Sequence, residues 1–301
     1  MLAYYQEHSV FTQPEKMKPY LQDLPNSIPD LIKVVQGLLI HRVDSQIFDI
    51  NLPDERLPEI EIRKVSNMLS QIIALNPSSL TVERSLDQKL ISTCRDFALF
   101  LCAFLRHKKI PARVRVGFVN YLWGGTQDHL ITEYWDKETC SWRRADSRIT
   151  PVYLEKVSRG IDLNILDVQD RYFEPVQNVW YKCRTTDADP NQYAYGLFRK
   201  IRGMRHIQDR LIADLACLNK VELLPWDLWG YMIWDLPGVA PHEQAHLELL
   251  DQLAAIDTQS DFEKIRSIYQ HPQLKLSSPV LCASPLREQQ RFTVEEVLNA
   301  S

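Results

Sequence analysis

The chain has 301 residues, 45% hydrophobic and 25% charged, which excludes a disordered protein and allows one large domain or two modest ones. A net charge of −4 with no recurring Lys/Arg cluster offers no field for a phosphate backbone, so no nucleic-acid partner is expected. No apolar run reaches bilayer length, and Met1-Leu2-Ala3-Tyr4-Tyr5-Gln6-Glu7 lacks the basic and apolar regions of a signal peptide. A cytoplasmic location without a membrane partner is the expectation. The cysteines, Cys94, Cys102, Cys140, Cys183, Cys217 and Cys282, include no C-x-x-C pair, so neither a disulfide framework nor a thiolate zinc site is signalled.

Residues 1–28 are polar and weakly periodic, and an amphipathic helix is expected over 28–40, with Pro29 near its start. A second helix is expected over 59–74, bounded by the turn signals Asn51-Leu52-Pro53-Asp54 and Asn76-Pro77-Ser78-Ser79. The first 80 residues therefore read as a helical N-terminal part. An apolar helix then begins at Cys94 and stops before Ile110-Pro111. Thr93-Cys94-Arg95-Asp96 fits a capping box, which sets Cys94 in the first helical turn, where unpaired amides and the helix dipole favour a thiolate. Cys94 is a candidate nucleophile; the competing reading is an inert cysteine inside an apolar helix.

Residues 112–119 alternate polar and apolar, as in a half-buried strand. Residues 128–135 and 140–146 form an expected hairpin, and a tight turn centred on Lys137 and Glu138 would set His129 opposite Asp146. That register also opposes Glu133 to Trp142 and Ile131 to Arg144, so the alternation does not select it. Beyond residue 150 strand signals fade and helices are expected over 207–218 and 242–255.

Cysteine, histidine and carboxylate meet three needs of acyl transfer. Cys94 would attack a carbonyl, His129 would take its proton and return one to the leaving group, and Asp146 would hold the imidazole in a productive tautomer. The Cys94 amide could serve a developing oxyanion, with Gln88 as a further candidate donor. Tyr121 and Trp123, in the loop leading to His129, and Trp226 and Asp227, in the aromatic run 214–230, are candidate substrate-binding residues. His242-Glu243-Gln244-Ala245-His246 matches the zinc pattern H-E-x-x-H, with Glu263 as a conceivable third ligand. It follows Pro241 at a helix start, however, so a solvated first turn is expected and no metal is assigned.

Thr93-Cys94-Arg95-Asp96-Phe97-Ala98, then 105–114 with Gly117-Phe118, then Asp128-His129 and Ala145-Asp146, together resemble the core of the transglutaminase-like superfamily. The run 214–230 is similar to bacterial transglutaminase-like proteins. The resemblance implies an α+β, papain-like fold with a central helix packed on an antiparallel sheet, helical extensions at both ends, and Cys94, His129 and Asp146 at the triad positions. The glycine usual two residues before the nucleophile is Ser92 here. The expected organisation is a helical part over 1–80, a catalytic core over 81–185 and a helical part over 186–301, sharing one body. The expected activity is cofactor-free acyl transfer or hydrolysis on a small-molecule, peptide or carrier-bound amide or thioester. A scaffold or binding protein that keeps the fold is the alternative.

Overall fold

The computed structural model describes residues 1–122, 125–158, 160–196, 200–233 and 244–299. The first long helix, Ile28–Leu38, starts where the Ser27 hydroxyl accepts from the Asp30 N–H and buries a stripe of Leu31, Ile32, Val35 and Leu38. It ends short of residue 40 because the chain passes directly into strand β1 (Leu39–His41), which pairs in parallel with β2 (Leu90–Ser92). The second expected helix begins only at Val65 and runs to Leu75. Ahead of it, Asp54–Glu61 is a 3-10 segment with Pro58 inside it, and proline cannot supply an α-helical amide donor.

The central helix spans Cys94–His107, and every residue from Arg95 to Arg106 is buried. Asp96 reaches back to accept from the Thr93 N–H (2.8 Å) and hydroxyl (2.9 Å), the carboxylate arm of the expected capping box. Beneath the helix lies an antiparallel sheet of β3 (Ala112–Val119), β4 (Gln127–Asp136), β5 (Ser141–Ala145) and β6 (Phe173–Pro175), in the order β5-β4-β3-β6. The Thr132 hydroxyl donates to the Ala98 carbonyl and the Ser147 hydroxyl to that of Phe97, each at 2.9 Å. These two bonds hold the start of the helix against the sheet. The α+β expectation, a central helix on an antiparallel sheet, is therefore met.

The hairpin register differs from the one expected. Thr132 opposes Ala145, Glu133 opposes Arg144 and Trp135 opposes Trp142, a slip of two residues. The connection is a longer loop, in which the Asp136 carboxylate accepts from the Glu138 N–H (2.9 Å) and the Thr139 hydroxyl (3.0 Å), and Cys140 takes a left-handed φ of 50°. An even slip keeps every side chain on its expected face, so His129 and Asp146 become diagonal rather than directly opposed neighbours.

Strand β3 is not half-buried: all eight of its residues are buried. Its polar face is covered by the helix Met204–Leu218, and its arginines are paired inside. Arg113 donates to Glu133 at 2.8 Å, while Arg115 contacts Glu133 at 2.9 Å and Asp214 at 3.0 Å. Beyond residue 150 short strands do occur. Besides β6, a second antiparallel sheet joins β7 (Asp227–Leu228), β8 (Val280–Cys282) and β9 (Gln290–Phe292), segments too brief to show alternation. One apolar core takes in residues from Phe11 to Val297. Among the described residues no helix is long and apolar enough to cross a membrane.

Gly117, opposite His129 on β4 and Pro175 on β6, is where β6 closes on the sheet. A Cβ there would sit 2.6 Å from the Glu174 carbonyl oxygen and collide with the Phe173 ring. Gly117→Ala is therefore expected to cost about 1–3 kcal/mol by overpacking, read as a lowered melting temperature. An unchanged melting temperature would mean that β6 is not seated on Gly117.

Candidate active site

Three elements deliver three side chains to one place. The central helix opens on Cys94, β4 carries His129, and Asp146 follows the last residue of β5. His129 Nε2 lies 2.9 Å from Asp146 Oδ2. Nδ1 makes no hydrogen bond among the described residues, the Tyr121 ring packs edge-on against the imidazole, and Cys94 is near enough to act on it electrostatically. The imidazole is fully buried. Burial by itself disfavours its protonated form, but the Asp146 carboxylate and Cys94 outweigh that and carry its pKa up to about 9. Burial likewise opposes ionisation of Asp146; His129, the Tyr121 hydroxyl and the Arg148 N–H prevail and hold it below the usual carboxylate range.

Asp146 is fixed by those contacts as well as tuned by them. Tyr121 donates to Oδ2 at 2.7 Å and the Arg148 N–H to Oδ1 at 2.9 Å. The Asp146 N–H is held by the Ile165 carbonyl at 2.9 Å. At the helix mouth, the buried Arg95 guanidinium donates to the Arg63 carbonyl (2.6 Å), the Glu222 carbonyl and Asp96 (2.9 Å), which anchors the turn bearing Cys94. Ser92, in place of the expected glycine, is buried, with its hydroxyl donating to the Ile40 carbonyl at 2.9 Å. The substitution is thus absorbed by β1.

Cys94 and His129 line a small chamber of about 80 Å³, together with His41, Arg42, Asp128, Arg148 and Tyr195. Asp128 precedes His129 on β4, yet its carboxylate accepts from the Gly196 N–H at 3.2 Å and faces His206 and Arg210 at 3.6 Å. Sequence reading missed His41, Tyr195 and Asp128. Only Asp128 carried a signal, its adjacency to His129; the other two come from chain positions with no motif.

The remaining candidates lie elsewhere. Gln88 does not line the chamber, and its side-chain oxygen accepts from Asn76 Nδ2 at 2.8 Å. Tyr121 does not border the chamber either, since it stands behind Asp146 as a buried support. Trp123 lies outside the described residues. Trp226 packs into an apolar cluster with Ile40, Ile60 and Ile91, and Asp227 is gripped by Arg63 at 2.7 and 2.9 Å; of this run only Pro225 reaches the chamber. His242 and Glu243 fall outside the described residues. His246 is not on a solvated turn: it is buried, 3.0 Å from Gln208 Oε1 and against the Tyr231 ring. Glu263 is exposed at the start of the helix Phe262–Ile268. All six cysteines are unpaired.

No curated protein and no solved structure matches the chain. Residues 59–147 match the family model described as the transglutaminase-like superfamily, a span that includes Cys94, His129 and Asp146. Helix-borne cysteine, sheet-borne histidine and acid thus lie within the segment, residues 59–147, that is similar to the transglutaminase-like superfamily.

Proposed function

We propose that the protein catalyses acyl transfer or hydrolysis at an amide or thioester carbonyl through a thioester on Cys94. The superfamily is generally a Cys-His-Asp acyl-transfer or hydrolase fold, and the observation that carries the reading here is the His129–Asp146 pair at 2.9 Å beside the cysteine of a helix first turn. Proton transfer from Cys94 to His129 gives a thiolate and an imidazolium, the latter stabilised by Asp146. The sulfur attacks the carbonyl carbon, and the tetrahedral intermediate collapses as the imidazolium gives its proton to the departing amine or thiol. Water or an amine, deprotonated by His129, then attacks the thioester and regenerates the Cys94 thiol. No cofactor takes part in this sequence. A small-molecule, peptide or carrier-bound acyl donor fits the reading.

The test is intact-mass analysis of wild type and Cys94→Ala after incubation with amide, ester and thioester probes, with iodoacetamide at pH 6 as a thiolate probe. An acyl adduct on wild type alone is expected, together with alkylation of Cys94 ahead of the other five cysteines. A Cys94 that stays unmodified by every reagent would leave the fold as a scaffold or binding module.

A further inference from the structure

The chamber holds a second imidazole that the triad does not use. Strand β1 runs parallel to β2, which leads into the nucleophile, and it sets His41 opposite Ser92. The His41 ring stacks on Phe97 of the next helical turn, with centroids 6.4 Å apart and planes at 26°, and lines the chamber beside Cys94 and His129. Its Nδ1 accepts a hydrogen bond from the Val43 N–H at 3.2 Å. A nitrogen that accepts carries no proton, so the neutral ring bears its proton on Nε2. Nε2 has no hydrogen-bond partner among the described residues, yet it is not among the sealed, unpartnered polar atoms, and the ring that carries it lines the chamber.

The surroundings keep this ring neutral. Burial acts first, and the nearby Arg148, His129 and Arg42 add to it, driving the pKa of His41 well below the ordinary histidine value. A neutral N–H donor at the chamber wall suits a developing oxyanion, because it stabilises charge without losing its own proton.

We propose that His41, through Nε2–H, donates one of two hydrogen bonds to the oxyanion formed when Cys94 attacks its acyl substrate, the Cys94 N–H donating the other. This rests on the acyl-transfer reading above. In the step concerned, the S–C bond forms, the carbonyl π pair moves onto oxygen and receives both donors, and the pair returns as the leaving group departs with the C–X bonding electrons. His41 neither gains nor loses a proton.

Two substitutions separate this role from a structural one. Asn at 41 places its side-chain oxygen near the position of Nδ1 and keeps the Val43 contact, but has no donor at the position of Nε2. Gln at 41 does the reverse. Rates are measured for acylation of Cys94 by p-nitrophenyl acetate, which passes through an oxyanion, and for alkylation by iodoacetamide, which does not. His41→Asn should lower acylation by about 10²–10³-fold, in the range of losing one oxyanion donor, with alkylation unchanged. His41→Gln should retain most of the acylation rate. If alkylation falls in parallel with acylation, or if Asn preserves acylation and Gln abolishes it, the assignment fails and His41 supports the turn alone. Should the Asn variant unfold, the Gln variant decides: retained acylation supports the donor, lost acylation overturns it. A wild-type Cys94 that is alkylated but never acylated also overturns the assignment. A wild-type Cys94 inert to both reagents removes the acyl-transfer reading itself, and this assignment with it.

Discussion

Asp146→Asn is expected to lower the rate of Cys94 acylation by about 10³–10⁴-fold while leaving the protein folded. The carboxylate accepts from His129 Nε2 at 2.9 Å, which requires the proton on Nε2 and frees Nδ1 to take one from the thiol. An amide can present its NH₂ to Nε2 instead. The neutral ring would then carry its proton on Nδ1, and it could not act as base toward Cys94. The fold should tolerate the change, because the Arg148 N–H still finds an oxygen at 2.9 Å and the Tyr121 hydroxyl can turn from donor to acceptor. Loss of the carboxylate also removes the main influence that raises His129. Burial then prevails and the imidazole should titrate far below its wild-type value of about 9. Single-turnover acylation of wild type and variant, with an NMR titration of His129, checks both statements. A variant that acylates within tenfold of wild type would show that Asp146 does not set the tautomer, against the roughly 10⁴-fold effect expected of that role.

Glu133→Ala should be the most damaging single substitution away from the chamber, costing about 3–5 kcal/mol. Glu133 is buried between Arg113 and Arg115, and Arg144 approaches it at 3.3 Å. Removing it leaves buried guanidinium groups with positive charge in excess, which costs far more than the intact pair contributes relative to apolar residues. Burial alone would raise the Glu133 pKa; Arg115, Arg113 and Arg144 overcome that and hold it at about 2 instead of 4.5. A depressed carboxylate contributes stability that is full above its unfolded-state value and is lost as pH falls toward its folded-state value. At ~1.4 kcal/mol per pH unit, the interval from 4.5 to about 2 is worth on the order of 3 kcal/mol, lost across that window. Denaturant melts of wild type and Glu133→Ala at pH 7 and at pH 3 provide the measurement. The midpoint difference should shrink at pH 3 at constant m-value. A loss below ~1 kcal/mol at pH 7, the size of an exposed ion pair, would mean that water reaches the cluster.

Short-range chemistry made part of this protein legible from its residues. Thr93-Cys94-Arg95-Asp96 announces a helix start because capping is satisfied within four residues, and the apolar run behind it demands burial wherever the chain goes. Side-chain parity on β4 and β5 survives a register slip of two, which is why His129 and Asp146 meet although the hairpin turn is longer than the tight turn the residues suggested. Cysteine, histidine and acid could therefore be read as a set.

Other features depend on which surfaces meet. Alternation along β3 marks two faces, but nothing in that strand says that the arginine face is covered by the Met204–Leu218 helix, with Asp214 and Glu133 supplied from distant segments. Trp226 and Asp227 have the composition of a pocket wall, yet Arg63 and the cluster around Ile40 draw them inward. His41 stands just past the helix expected over 28–40; only the parallel pairing of β1 with β2 turns it into a neighbour of Cys94. Local hydrogen bonding and periodicity are written within a few residues of each other, so the sequence by itself determined the helix that opens on Cys94, the faces of the strands and the triad candidates. Burial of charge and the lining of the chamber arise from contacts between segments far apart in the chain, and the tertiary structure alone decided them.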